Sequence, residues 1–353
     1  MSRTLLHGRD WINTQEWTKP ELETVLKLAE DLKLRHASGE PHELLHGKTN
    51  YLIFYNPSLR TRNSFETGLT QLGGHSNYLL PAFMYSPGKE EDESGVLVKE
   101  SVEEIKDTAR VLSRYGDAIS IRIFQDATAW VHGRGNVVMR EFAKWAEVPV
   151  INMEDDLYHP CQGITDLMTL KEHLGDLKGK KVAVTWAYSD KDRTIGVMHS
   201  AALLFTLFGM NVTVAHPKGY EFDDEVTEWC QQNAQESAGS YTVVNDFDEA
   251  IRDADVVMPK SWINNNFLPP KNRGIDLKGA RAFASQYKDW KFTKEKLALC
   301  DSRALYMHCG PVDRANEVED EIVDGPRSVV FDQAENRLHT QKAIMTLVMG
   351  GRP

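Results

Sequence analysis

Cysteine is scarce in this 353-residue sequence, which has only Cys161, Cys230, Cys300 and Cys309 and no CxxC pair. This spacing offers neither a disulfide framework nor a zinc ribbon, and it is typical of a reducing compartment. Long apolar runs are also missing, since the longest, around 201–208, is far below the roughly 20 residues of a membrane span. The N-terminal segment lacks the apolar core of a secretory signal. We therefore expect a cytoplasmic protein that does not bind membranes.

Positive charge is in deficit, because 41 Lys and Arg residues face 52 Asp and Glu residues, a formal net charge of −11. A surface of this sign argues against broad nucleic-acid binding. The P-loop pattern GxxxxGK[ST] is absent, and the GGH string at 73–75 is not a dinucleotide fingerprint. We also find no metal ligand set, so the sequence predicts neither a cofactor nor a metal.

Short β-rich runs alternate with amphipathic helical patterns along the whole chain, whose length favours two domains. Strands are predicted at 49–55, 75–80, 117–123, 148–152, 180–186, 211–215, 241–244, 255–258, 304–309 and 328–331. A helix is predicted from 334 to 349. Such alternation predicts an α/β fold with two doubly wound parallel sheets. The domain boundary is expected near 155–162.

Two segments are too long to be simple connections, namely 81–100 and 263–290. Loops of this length in a compact domain are usually functional or mobile.

The string Ser58-Leu59-Arg60-Thr61-Arg62 follows a predicted strand and opens a predicted helix. The first turn of a helix offers unpaired backbone N–H groups and the positive end of the helix dipole. Hydroxyl groups and a bidentate guanidinium beside it favour a cradle for phosphate. A capped helix with solvated arginines remains the alternative.

Three further motifs also lie at predicted strand ends or helix starts: His159-Pro160-Cys161-Gln162, His308-Cys309-Gly310-Pro311 and the string AENR that ends at Arg337. Ligands of open α/β sheets bind beyond the carboxyl ends of the strands. His159 and Gln162 there would polarise a carbonyl oxygen, unless they belong to an ordinary proline turn. Cys309 would contact substrate, unless it is an inert buried thiol.

Arg122 ends the predicted strand 117–123 and adds another guanidinium to this set. Several arginines and a polarising histidine, without an acid–base pair, favour a bound dianion with a transferable carbonyl group.

The strings SLRTR, HPCQ, HCGP and FDQAENRLHTQKAI, in this order, resemble the aspartate/ornithine carbamoyltransferase family from about residue 10 to 350. The resemblance implies a carbamoyl-phosphate-binding domain at 1–158, to which the C-terminal helix 334–353 returns. It implies an amine-binding domain at 159–333. It also implies a homotrimer with shared sites, in which loop 81–100 covers the neighbour's phosphate with Phe83 and Tyr85.

The resemblance also implies roles for single residues. Carbamoyl phosphate would be bound by Ser58, Leu59, Arg60, Thr61, Arg122, His159, Gln162 and Arg337. The catalytic residues would be Arg122, His159, Gln162 and Cys309. A neutral amine attacks the carbamoyl carbon, and the oxyanion that forms is stabilised by nearby donors. Much of the rate would come from holding the two substrates together.

The acceptor is indicated by a departure from plain ornithine enzymes. Their D-x-x-x-S-M-G string is replaced here by PKSWI at 259–263. Lys260 suits a carboxylate and repels a free α-ammonium, so an N-acylated ornithine is favoured. The KSW string, the longer segment after 180–186 and Glu154 resemble the N-acetylornithine carbamoyltransferase branch, which implies a knot in the second domain. The product would be a citrulline derivative for arginine biosynthesis.

Two features point away from that acceptor. HCGP replaces the usual HCLP, so Gly310 removes a side chain beside both substrates. Glu317 stands near the position where the acylornithine pattern has a lysine. The resemblance implies an amine-binding set of Glu154, Lys260, Cys309 and Gly310. Because of the two departures, ornithine, lysine, putrescine or a ureido compound are alternative acceptors. A non-catalytic regulatory paralog is the remaining alternative, but it would be expected to lose an arginine of SLRTR or His159.

Overall fold

The computed structural model describes residues 6–81, 103–269 and 275–350. Phe83, Tyr85 and the rest of the predicted covering loop from residue 82 on lie outside these ranges. The chain divides into two compact units. Residues up to Cys161 and from Asn336 onward form the first unit, with Pro269, and residues 162–268 and 275–335 form the second.

The first unit contains a four-stranded parallel sheet in the order β2-β1-β3-β4. Its strands are β1 (Thr49–Phe54), β2 (His75–Leu79), β3 (Ala118–Arg122) and β4 (Val150–Glu154). Its helices are α1 (Lys19–Ser38), α2 (Leu59–Gln71), α3 (Ile105–Tyr115) and α4 (Arg134–Trp145). Helix α5 (Pro160–Leu174) leads out of this unit into the second.

The core of the first unit forms where β-branched residues of the strands meet apolar faces of α3 and α4. Ile53, Ile119 and Ile121 of the sheet pack with Ala109 of α3 and Phe142 of α4, and all five are fully buried. Strands that are covered on both faces read as continuous apolar runs, which is why the sequence predicts them well.

The second unit contains a five-stranded parallel sheet in the order β7-β6-β5-β8-β9. Its strands are β5 (Lys181–Trp186), β6 (Asn211–Ala215), β7 (Ser240–Val244), β8 (Val256–Lys260) and β9 (Leu305–Tyr306). Its helices are α6 (Gly196–Leu207), α7 (Asp224–Ser237), α8 (Phe247–Ile251), α9 (Leu277–Ala284), α10 (Lys294–Leu297) and α11 (Asp320–Val323). Helix α12 (Val330–Val348) returns the chain to the first unit at Asn336.

The prediction of an α/β fold with two parallel sheets is confirmed, and two local predictions are wrong. The run at 328–331 is not a strand, since only Ser328 forms a bridge, to Tyr306, and α12 begins at Val330. A short apolar run fits the first turn of a buried helix as well as a strand. The supposed loop 263–290 contains the helix α9. The knot stays a prediction.

Each sheet has one point where the strand order reverses. In the first unit it lies between β1 and β3, and in the second between β5 and β8. Connections leave such a point in opposite directions, which opens a crevice at the carboxyl ends of the two strands. Among the helices of the described ranges, none has the length and apolar character needed to span a membrane.

Candidate active site

The predicted phosphate cradle opens directly from the carboxyl end of β1. The hydroxyl of Ser58 caps α2 and accepts a hydrogen bond from the backbone N–H of Thr61, at 3.2 Å. Ser58 is the N-cap because its oxygen satisfies one of the otherwise unpaired N–H groups of the first turn. The side chain of Leu59 is 76% exposed, so this residue can serve an anion only through its backbone.

Three arginines converge on this crevice of the first unit. Arg337 of α12 is buried and donates from Nη2 to the Thr61 hydroxyl at 3.0 Å. Burial, with the nearby charges of Arg122 and Arg60, lowers the pKa of Arg337, while Cys161 and Glu154 oppose this shift. Cations kept this close together form a strong site for a multiply charged anion.

Glu154 supplies the negative charge within the same group. It ends β4, beside β3, and its carboxylate accepts a hydrogen bond and ion pair from Nη1 of Arg122. Nε2 of the buried His159 lies 3.6 Å from Oε2 of Glu154. The guanidinium of Arg122 also lies 4.7 Å from the centre of the Phe124 ring. The first unit therefore brings together Ser58, Leu59, Arg60, Thr61, Arg122, Glu154, His159 and Arg337 of the predicted set.

The second arginine of SLRTR is engaged elsewhere. Arg62 pairs with Glu66 at 3.0 Å, one turn along α2, and its guanidinium lies 3.6 Å from the centre of the Tyr78 ring. The structure thus separates the two arginines: Arg60 lies near Arg337, whereas Arg62 is paired with Glu66. The sequence alone does not show this difference.

In the second unit, a buried chain of hydrogen bonds joins the HPCQ and HCGP motifs. The amide of Gln162 donates to Asp166 at 2.7 Å, and the amide of Gln333 donates to the same oxygen at 2.6 Å. Gln333 in turn accepts from the backbone N–H of His308 at 3.0 Å. The chain sets the orientation of both motifs.

Glu317 lies at a junction between the loops that follow β8 and β9. Its carboxylate accepts from the backbone N–H and hydroxyl of Ser261 at 2.8 and 2.9 Å, and from the N–H of Asp313 at 2.8 Å. Nε2 of His308 lies 3.1 Å from Oε2 of Glu317. Burial opposes ionisation, but His308, Lys260 and the Ser261 N–H outweigh it and lower the pKa of Glu317 to about 2.

Replacing Glu317 with glutamine is expected to destabilise the protein by about 3 kcal/mol at pH 7, the equivalent of the pKa change. The folded carboxyl has the lower pKa, so its contribution is complete above pH 4.5 and disappears as the pH falls towards 2. Urea unfolding of both proteins at several pH values measures this difference. The exposed Glu321→Gln is the control, and a difference between wild type and Glu317→Gln that is independent of pH would contradict the prediction.

Lys260 ends β8 and is 6% exposed. Its Nζ donates to the carbonyl of Ser261 at 3.3 Å. Cys309 and Gly310 follow β9, and the N–H of Gly310 donates to Nδ1 of His308 at 2.9 Å. Gly310 has a φ of 67° and a cis bond to Pro311, a backbone that favours glycine at this position. Lys260, Cys309, Gly310 and Gln162 all belong to the second unit.

A pocket opens at the carboxyl ends of β5 and β8, the reversal point of the second sheet. Its walls combine aromatic rings with polar groups from the loops after both strands and from α9. They include Trp186, Ser189, Tyr220, Ser261, Trp262 and Asn264. Trp186 and Tyr220 contact each other with ring centres 4.6 Å apart. Lys191, Asp192 and Arg281 add charged groups to the lining, so apolar surface and polar groups that can orient a small molecule lie side by side.

Several of these residues could not be identified from the sequence. Asp166 follows the HPCQ motif and Gln333 lies within the string FDQAENRLHTQKAI, but the motifs alone gave neither residue a role. Trp186 and Tyr220 read as ordinary core aromatics. Glu317 stood out only as a departure from a pattern. The signal for His308 was its place directly after a strand, beside Cys309.

Comparison with known families covers nearly the whole chain. The carbamoyl-P binding domain of the aspartate/ornithine carbamoyltransferase family matches residues 9–172. The Asp/Orn binding domain of the same family matches residues 178–348.

Individual relatives carry two different acceptor names. The ornithine carbamoyltransferase of Thermococcus kodakarensis is 40% identical over 350 residues, covering 98% of both chains. The N-acetylornithine carbamoyltransferase of Xanthomonas campestris pv. campestris is 38% identical over 354 residues, covering 97% of this chain and 98% of the relative. The crystal structure of acetylornithine transcarbamylase complexed with acetylcitrulline matches with a TM-score of 0.87 at 37% identity, covering 98% of this chain and 100% of the other.

Proposed function

The chain belongs to the aspartate/ornithine carbamoyltransferase family and transfers the carbamoyl group of carbamoyl phosphate to an ornithine-type amine, and we propose that this amine is an N-acylated ornithine. The products are then phosphate and an N-acylated citrulline. In this proposal the enzyme is cytoplasmic and the citrulline derivative is used for arginine biosynthesis. The carbamoyltransferase prediction is confirmed, whereas the acceptor and the residue roles are our proposals.

The phosphate of the substrate binds at the first-unit crevice in this proposal. Arg60, Arg122 and Arg337 supply charge, and the first turn of α2 supplies N–H donors. The Thr61 hydroxyl accepts from Arg337, so its own hydrogen is directed to the substrate. Ser58 is oriented in the same way by capping α2.

The carbamoyl group is bound, in this proposal, by His159, Thr61 and Arg122 of the first unit. Attack of a neutral amine on the carbamoyl carbon moves negative charge to the carbonyl oxygen, and these donors stabilise that charge. Collapse of the tetrahedral intermediate then breaks the carbon–oxygen bond to phosphate, and the proton that the attacking nitrogen loses leaves with the phosphate. The leaving phosphate stays with the arginines that held it.

Lys260 is the observation that carries the choice of acceptor. It is a buried cation in the segment after β8, next to Ser261 and Trp262, which line the pocket of the second unit. An ammonium has three N–H donors, and among the described residues its hydrogen-bond acceptor is the Ser261 carbonyl. The remaining donors suit the carboxylate or acyl oxygen of a masked amino acid and disfavour a free α-ammonium.

Ornithine itself is the second candidate, and Glu317 favours it. The carboxylate of Glu317 is ionised and faces Lys260, which reduces the positive charge that the acceptor meets. The ornithine carbamoyltransferase of Thermococcus kodakarensis is also 40% identical to this chain.

Phosphate release from carbamoyl phosphate, measured against a panel of amines, tests the proposal. The panel contains N-acetylornithine, N-succinylornithine, ornithine, lysine, putrescine and a ureido amine. The highest kcat/KM is expected for one of the two acylated ornithines. A clear preference for any other amine would refute the acceptor proposal while leaving carbamoyl transfer intact.

We also propose that the active protein is a homotrimer. Exposed apolar side chains on α3 and α4, namely Val111, Tyr115 and Val137, support a subunit contact on the first unit. Light scattering is expected to give three times the mass of one chain, 40.0 kDa. A fully active monomer would contradict the shared-site arrangement.

A further inference from the structure

The carboxylate of Glu154 occupies the guanidinium that the substrate phosphate needs. Arg122 donates to Glu154, and both side chains are nearly buried, with 12% and 13% of their surfaces exposed. His159 lies 3.6 Å from the same carboxylate oxygen. Glu154 is also close enough to Arg337 to affect its ionisation. A single carboxylate thus partly neutralises two cations of the crevice, Arg122 and Arg337.

Carbamoyl phosphate brings a dianion to this group of cations. A guanidinium binds phosphate and carboxylate through the same planar set of N–H donors, so the two anions compete for Arg122. Two anions held side by side in a partly buried site also repel each other. Glu154 accepts from Nη1 of Arg122, so the phosphate cannot use the donors of this nitrogen while the contact lasts.

We propose that Glu154 is an exchangeable counter-ion, which holds Arg122 in the empty site, yields it to carbamoyl phosphate, and then accepts a hydrogen bond from the reacting amine of the acceptor. The inference rests on the proposed phosphate site, because it needs Arg122 to bind the substrate. Release from Arg122 leaves a carboxylate beside a newly bound anion, where an N–H donor of the incoming amine is the favourable partner. Glu154 therefore opposes binding of the first substrate and supports binding of the second.

A residue that merely contacts the amine would leave phosphate binding unchanged on substitution, and a purely structural residue would weaken both substrates. Exchange predicts effects of opposite sign. In Glu154→Gln, carbamoyl phosphate and inorganic phosphate should bind about five- to tenfold more tightly, the scale of one weakened charge-assisted contact. The kcat/KM for the amine should fall at least about tenfold.

Glu154→Asp separates contact from charge, because it keeps the carboxylate but shortens the side chain by one methylene group. If the contact matters, this variant also binds phosphate more tightly than wild type. If only the negative charge matters, its affinity equals that of wild type, which would overturn the exchange. Glu66→Gln is the matched control, since it removes the partner of Arg62 and leaves Arg122 in place. Its phosphate affinity should be unchanged.

Isothermal titration with carbamoyl phosphate and with inorganic phosphate measures the affinities, and initial rates measure the amine step. Arg122→Ala is titrated in parallel. One outcome is that Arg122→Ala loses phosphate binding while Glu154→Gln binds phosphate as tightly as wild type or more weakly. That outcome would reject the exchange but support the phosphate site. Unchanged binding in Arg122→Ala would reject the proposed site itself.

Discussion

Arg60→Ala should lose carbamoyl phosphate binding by a factor of about 10² or more, because a charge-assisted bidentate contact in a desolvated site is worth about 2–3 kcal/mol. Arg60 lies in the first turn of α2, near enough to Arg337 to influence its pKa. Removing Arg60 leaves the phosphate group with fewer hydrogen-bond donors, both in bound carbamoyl phosphate and when phosphate leaves the tetrahedral intermediate. Isothermal titration with carbamoyl phosphate measures the loss.

Arg62→Ala provides the control within the same string. Arg62 is occupied by Glu66 and by the Tyr78 ring, so its loss should change affinity less than about threefold, the scale of an exposed ion pair. Both variants should keep the melting behaviour of a folded protein, since neither side chain is buried. Equal losses in the two variants, or unchanged affinity in Arg60→Ala, would contradict the assignment.

The fold could be predicted from the sequence because parallel strands carry their own signal. Buried runs such as KVAVTW at 181–186 are apolar on both faces, and turn residues separate them from amphipathic helices. The error at 328–331 arose where this signal is ambiguous. Val329 and Val330 are buried at the start of α12, where tertiary burial of a helix produces the same apolar run as a strand.

The site was predictable only where a motif lies at a strand end. Arg60, Arg122 and His159 follow or end strands, and parallel sheets bring such positions to one edge. Glu317 could not be predicted in this way, because its contacts form only when folding brings separate loops together. Two of its four donors come from Ser261, 56 residues away in sequence, and the other two come from the nearer His308 and Asp313. No spacing rule connects these positions.

Lys260→Ala should lower kcat/KM for N-acetylornithine by a factor of about 10² to 10³, the effect of leaving a buried polar or charged group without its partner. The activity with ornithine, lower in the wild type, should stay the same or rise, because the cation that repels its α-ammonium is gone, so the preference for the acylated substrate should narrow. Initial rates with both amines, at saturating carbamoyl phosphate, measure the change in preference.

Lys191→Ala is the matched control, because this lysine lines the pocket of the second unit but is exposed and paired with Asp190. Its removal should change neither amine by more than about twofold, as is usual for surface charges. Glu317 makes the outcome decisive. If its carboxylate already satisfies Lys260, Lys260→Ala would leave an unpaired negative charge that favours a free α-ammonium. A wild-type enzyme that prefers ornithine, or a Lys260→Ala variant that keeps the wild-type preference, would show that Lys260 does not select an acylated acceptor.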